Sequence, residues 1–194
     1  MDEKTKIDSI IQTVKEVLDD IGVKYSFDNK DNLFKFKAKL NPVLSITDRI
    51  LVGETCYVNT VSFGYEADEN DERMMRDMAE FIHRVNFGLP TVGNFEFDMN
   101  DGEIRYKYFV DHLRAPFDKA VVENSILEAF SVIDVYSFGF IYVILGKCSP
   151  KEAIKICETK KKDEIEDTGN ADDTDDTDDT DELRTDLFGS GGDD

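Results

Sequence analysis

The chain has 194 residues, 40% of them hydrophobic and 11% aromatic, enough for one core of ordinary size and too few for two full-sized domains. That composition excludes a wholly disordered chain and a collagen-like fibre. Forty-three acids against 23 bases leave a formal charge of -20, which disfavours nucleic acid or an anionic membrane surface as the main partner.

The charge is uneven. Residues 163–194 hold fifteen acids against the single Arg184, a net of -14 that leaves -6 for residues 1–162. Asp-Asp-Thr recurs three times in register from Asp172 to Thr180, followed by Gly189, Ser190, Gly191 and Gly192. Such a segment has little apolar surface to offset the entropy of ordering it. The division expected is therefore a folded domain over residues 1–159 and a disordered acidic tail over 160–194. Cys56, Cys148 and Cys157 come without a signal-like N-terminus. Their odd number and the lack of a CxxC pair point to a reducing cytoplasm, with no disulfide framework and no zinc site.

Ile7, Ile10, Ile11, Val14, Val17, Leu18 and Ile21 recur at helical steps, predicting a helix over about 5–21 with one buried face. Thr5 and Asp8 are its candidate capping pair and Gly22 its left-handed stop. The period then becomes two. Val23, Tyr25 and Phe27 face Phe34, Phe36, Ala38 and Leu40 across a turn at Asn29–Asn32, with Lys35, Lys37 and Lys39 on the wet side. Further strands are expected near Arg49–Val52 and Thr55–Phe63, joined at Gly53-Glu54.

Asn70 or Asp71 can cap a second helix with Met74, Met75, Met78, Phe81, Ile82 and Val85 as its apolar stripe, ended by Gly88 and Pro90. Reading Asp101-Gly102 as a two-residue turn pairs Met99 with Ile104, Phe97 with Tyr106 and Phe95 with Tyr108. The same register sets Asp98 against Arg105 and Glu96 against Lys107. From Asp118 to Lys147 an amphipathic helix carrying Val122, Ile126, Ala129, Phe130 and Ile133 becomes apolar all round between Val135 and Leu145. That run is shorter than the roughly 20 residues of a membrane span, so a buried or interfacial helix is the reading, with a membrane-peripheral role as the alternative. Ser149, Pro150 and Glu152 supply cap, first-turn proline and capping-box acid for a short last helix.

Chemistry-bearing patterns are thin. Glu80-x-x-His83 is half of a di-metal carboxylate pattern whose other half is missing. Asp98-x-Asn100-x-Gly102 misses the glycine and glutamate positions of a calcium loop. Asp111-His112 has no serine in a nucleophile elbow. Lys35, Lys37 and Lys39 suit phosphate contact less well than the blunting of a sheet edge. The tail suits solubility, loose cation binding or mimicry of nucleic acid, and Leu183, Leu187 and Phe188 within it suit a short docking segment.

Asn86-Phe87-Gly88-Leu89, Gly93-Asn94-Phe95-Glu96-Phe97-Asp98, Asp101-Gly102-Glu103-Ile104-Arg105-Tyr106-Lys107, and Gly146 with Ser149-Pro150-Lys151-Glu152-Ala153 resemble the YbjN domain family over about residues 4–157. The resemblance implies a type III secretion chaperone-like α+β fold, an antiparallel sheet packed by helices in the order α-β-β-β(-β)-α-β-β-α(-α). It brings no catalytic residues; family members are described as sensory or regulatory, and the namesakes of the fold are small, often dimeric chaperones.

The function expected is a non-enzymatic protein-binding module of bacterial or archaeal cytoplasm. It would be an adaptor, regulator or chaperone-like homodimer, without cofactor, nucleic acid or membrane. Phe138, Phe140, Ile141, Ile144 and Leu145 form its candidate interaction surface. A small-molecule binder or hydrolase with a pocket between sheet and helices, using Asp111 and His112, is the alternative.

Overall fold

A computed structural model describes residues 3–40, 44–114 and 116–168. The first helix, α1 (Glu3–Asp20), begins ahead of Thr5, so the expected capping pair falls inside it. It ends in a Schellman turn: Gly22 has φ +74°, its N–H donates to Asp19 O, and Val23 N–H donates to Leu18 O. Four strands follow, β1 (Tyr25–Asp28), β2 (Leu33–Lys39), β3 (Ser45–Val52) and β4 (Cys56–Phe63). Then come α2 (Glu72–Gly88), β5 (Asn94–Phe97), β6 (Ile104–Asp111), α3 (Lys119–Ile144) and α4 (Pro150–Thr168). The fold is α+β, with element order α-β-β-β-β-α-β-β-α-α.

All six strands form one antiparallel sheet in the order β1-β2-β3-β4-β6-β5. The helices lie on one side of it: α1, α2 and α3 pack on the sheet, and α4 packs against α2 and α3. Alternation decides which side is dry. In β2 Phe34 and Phe36 are buried while Lys35, Lys37 and Lys39 are exposed, and β3 buries Ile46, Asp48, Ile50 and Val52. Phe140 of α3 stands at the centre, its ring 5.0 Å from those of Phe63, Phe81 and Phe95. Asp71 caps α2 by accepting from Arg73 N and Met74 N. Ser149 and Glu152 form the capping box of α4, with Ser149 N–H donating to Glu152 Oε2 at 2.9 Å and Glu152 N–H to Ser149 Oγ at 3.4 Å.

Four expectations are corrected. The β5–β6 register is shifted by two residues: Phe97 faces Ile104, Phe95 faces Tyr106 and Glu96 faces Arg105. The cause is a four-residue loop in place of a two-residue turn. Asp98 Oδ1 accepts from Asn100 N at 2.8 Å, and Asp98 N–H reaches Glu103 O at 2.9 Å, so Met99 leaves the ladder. A shift of two keeps every side chain on its face, and Phe95 stays buried with Phe97 half-buried. Secondly, β3 starts at Ser45, four residues before the expected strand, and carries Asp48 into the core. Thirdly, β1 pairs β2 as far as Phe36, so Lys35 lies inside the sheet and blunts no edge, while Lys37 and Lys39 lie beyond the β1 pairing. Finally, Phe140 is fully buried and belongs to the core, not to a surface. The last helix runs on through position 159 to Thr168. The Asp-Asp-Thr repeats and Leu183, Leu187 and Phe188 lie outside the described residues.

Candidate functional site

With the helices on one side, no element among the described residues covers the other side of the sheet, and the register decides what this open face displays. Ser26, Lys35, Arg49, Thr60, Lys107 and Asn94 are paired strand to strand across the sheet. Lys37, Thr47, Ser62, Arg105 and Glu96 make the next outward row, and Lys39 opposite Ser45 begins a third. Directly opposed residues share a face. Six cations from three strands, Lys35, Lys37 and Lys39 of β2, Arg49 of β3, and Arg105 and Lys107 of β6, therefore stand on one surface of a chain whose net charge is -20.

The acids on that face are few and placed peripherally. Glu96 is held by both Arg105, at 2.8 Å, and Lys107. Burial works against its charge, but hydrogen bonds from Lys107 and Arg105 outweigh burial and keep its carboxyl below the usual range. Asp28 and Asp111 end their strands, and each accepts a backbone N–H two residues on. Lys35 faces Arg49 directly, an opposition of like charges that works against stability. Arg49 Nη1 bonds Ser62 Oγ at 2.8 Å, a neutral partner that leaves the charge uncancelled. Beside the cations runs an apolar row, Leu33, Leu51, Val58 and Phe109, paired successively across four strands. Leu51 is 39% and Phe109 50% exposed. A face that is basic, locally self-repelling and crossed by uncovered apolar side chains suits a ligand with acids and apolar groups interleaved.

The surface expected on α3 is smaller. Phe138 (39%) and Leu145 (59%) are exposed, Ile141 and Ile144 are half-buried, and Phe140 is in the core. Among the described residues α3 alone has the length and apolarity to cross a membrane, and over half of that stretch is buried in this fold.

The enzyme alternative finds its two residues apart. His112 is buried, with Nε2 3.1 Å from Gly53 O and its ring edge-on to Phe117. Asp111 instead faces Leu113 N and the Arg114 guanidinium. Glu80 bonds Arg84 Nε at 2.7 Å rather than turning to His83, and no metal-ligating cluster occurs among the described residues. A cleft of about 470 Å³ between the α2–β5 connection and α3 is lined by Leu89, Thr91, Glu128, Val132, Tyr136 and Glu158. Glu128 there accepts from Tyr106 Oη at 2.8 Å and Gly93 N at 3.0 Å, which ties it into the fold.

A buried polar group that no local sequence pattern marks lies under α3. Asp48, Asn59, Tyr57 and Ser125 are all at most 1% exposed. Tyr57 Oη lies 2.8 Å from Ser125 Oγ, and Asn59 Nδ2 reaches Asp48 Oδ2 at 3.4 Å and Ser125 O at 3.3 Å. Asp48 Oδ1 and Asn59 Oδ1 have no hydrogen-bond partner. Desolvation drives the Asp48 carboxyl well above its ordinary range, against the smaller opposing pull of Asn59 and Arg49.

No family model matches the chain, and no curated protein does. Among solved structures, a chain from the crystal structure of the ExsC–ExsE complex superposes with a TM-score of 0.41 at 14% identity, over 64% of this chain and 87% of that one. Similarity of that degree is too slight to transfer anything, and the α+β class rests on the sheet order and layering described above.

Proposed function

We propose that this chain is a non-enzymatic protein-binding module of YbjN type, an adaptor, regulator or chaperone-like protein of the cytoplasm. Its open sheet face holds an acidic peptide segment with apolar side chains at intervals. The observation that carries this reading is the gathering of Lys35, Lys37, Lys39, Arg49, Arg105 and Lys107 beside Leu51, Val58 and Phe109. A long nucleic acid would meet repulsion from the acids of the rest of the chain. A short segment confined to the face stays within about 8 Å of the cations, inside the screening length of physiological salt. Phe138 and Leu145 on α3 support a homodimer as the assembly, and sedimentation velocity showing only monomer at tens of micromolar would remove that part.

Titrating the full chain into a fluorescent peptide that alternates glutamate with leucine tests the docking reading. Anisotropy should report binding that weakens about tenfold between 50 and 500 mM salt. Phe109→Ser should weaken it by about threefold or more through lost apolar contact. Equal binding of a lysine–leucine peptide, or indifference to both salt and Phe109, would overturn the reading.

A further inference from the structure

We propose that the acidic C-terminal segment of this chain, anchored by Leu183 and Leu187, folds back onto the open sheet face and occupies it until a partner displaces it. This rests on the docking reading above and names that site's resident occupant. Three observations converge on it: charge, reach and spacing.

The segment from residue 163 on carries -14, with no cation but Arg184. The open face carries six cations brought together by the sheet register. Opposite fields of this kind steer association and favour contact over solvation of either alone. Between Thr168, the end of α4, and Leu183 lie fifteen residue steps, about 50 Å of extended chain. The open side is two packed layers from α4, roughly 20 Å, so the link is long enough to pass an edge of the sheet. In extended form Leu183 and Leu187 stand about 13 Å apart. The apolar row from Leu33 to Phe109 crosses three strand intervals, about 14 Å, so an extended segment laid across the strands matches anchors to row.

A tether of this length sets an effective concentration near the millimolar range. Contact with an intrinsic Kd of about 0.1 mM would then be closed roughly nine-tenths of the time, while a tighter partner could still replace it. Another surface with cations, the groove of α2 and α4 at Arg84, Phe87, Lys151 and Lys155, is a weaker seat because it offers three cations against six, one of them already paired with Glu80.

The test compares amide NMR spectra of the full chain with those of the full-length triple variant Leu183→Ser, Leu187→Ser, Phe188→Ser, whose changes lie outside the described residues. The expected differences cluster at Leu51, Val58, Phe109 and the flanking cations. They should be independent of protein concentration, and high salt should reproduce them in the unaltered chain. The variant should also bind the glutamate–leucine probe about tenfold more tightly. No change on the sheet face, changes at Phe87 and Lys151 instead, or changes that grow with concentration as for a second copy, would overturn the inference. Equal binding of the probe by both chains would defeat the tail's role and leave the docking reading standing. A probe that binds neither chain would defeat the docking reading itself.

Discussion

Gly102→Ala is expected to destabilise the fold by about 2–4 kcal/mol, against about 1 kcal/mol for Gly22→Ala. The two glycines share a left-handed backbone, φ +78° and +74°, so an added methyl meets the same intrinsic strain at both. Their surroundings differ. A Cβ at Gly22 meets nothing within 4 Å, whereas at Gly102 it falls 2.0 Å from Ala67 O and 2.8 Å from Ala67 C. Those are backbone atoms, and Ala67 N–H donates to Gly102 O at 3.1 Å, so relief requires moving the loop and losing that bond. Urea denaturation of both variants checks the difference. Equal losses would mean that the loop does not rest on Ala67.

Asp48→Asn is expected to stabilise the chain at neutral and higher pH. In the unaltered protein two acceptor oxygens, Asp48 Oδ1 and Asn59 Oδ1, are buried without a hydrogen bond, and an ionised Asp48 would add a desolvated charge. An amide at position 48 carries no charge and brings an N–H donor beside Asn59. The pH dependence has a definite sign. The folded Asp48 carboxyl titrates well above its ordinary value, chiefly through desolvation, while the unfolded one titrates near pH 3.9. Its stabilising contribution is complete below about pH 3.9 and is lost as pH rises through the folded value. Asp48→Asn should therefore match the unaltered chain near pH 4 and exceed it by roughly 1–3 kcal/mol at pH 8. Thermal denaturation across that range decides it. A variant less stable at pH 8, or a difference that does not change with pH, would show Asp48 to be ionised and satisfied.

These two sites also mark what the sequence could and could not convey. Helices α1 and α2, the β1–β2 hairpin and the Ser149 capping box follow from local periodicity and turn chemistry, because each is decided within a few residues of itself. The β5–β6 register departs from the expected one because Asp101-Gly102 has the composition of a tight turn, while the Asp98 side chain closes a longer loop. Asp48 stayed hidden because an acid between Ile46 and Ile50 reads as the outside of a strand, and its burial depends on Asn59 and α3. The lysines of β2 were visible, but their role depends on strand order. Only the pairing of β2, β3, β4, β6 and β5 brings Lys35, Arg49, Lys107 and Arg105 together. Phe140 was wrongly placed outside because an all-round apolar helix has no sequence signal for which turns the neighbouring helices cover.

The most direct measurement sets two double charge reversals of the full chain side by side in calorimetric titrations with the glutamate–leucine peptide. Lys35→Glu with Lys37→Glu alters the open sheet face, and Lys151→Glu with Lys155→Glu makes the same change of net charge on α4. The first pair should lose binding by tenfold or more while the second stays within about threefold, a contrast of place rather than of total charge. Equal losses in both, or a loss confined to the α4 pair, would contradict a docking surface on the sheet.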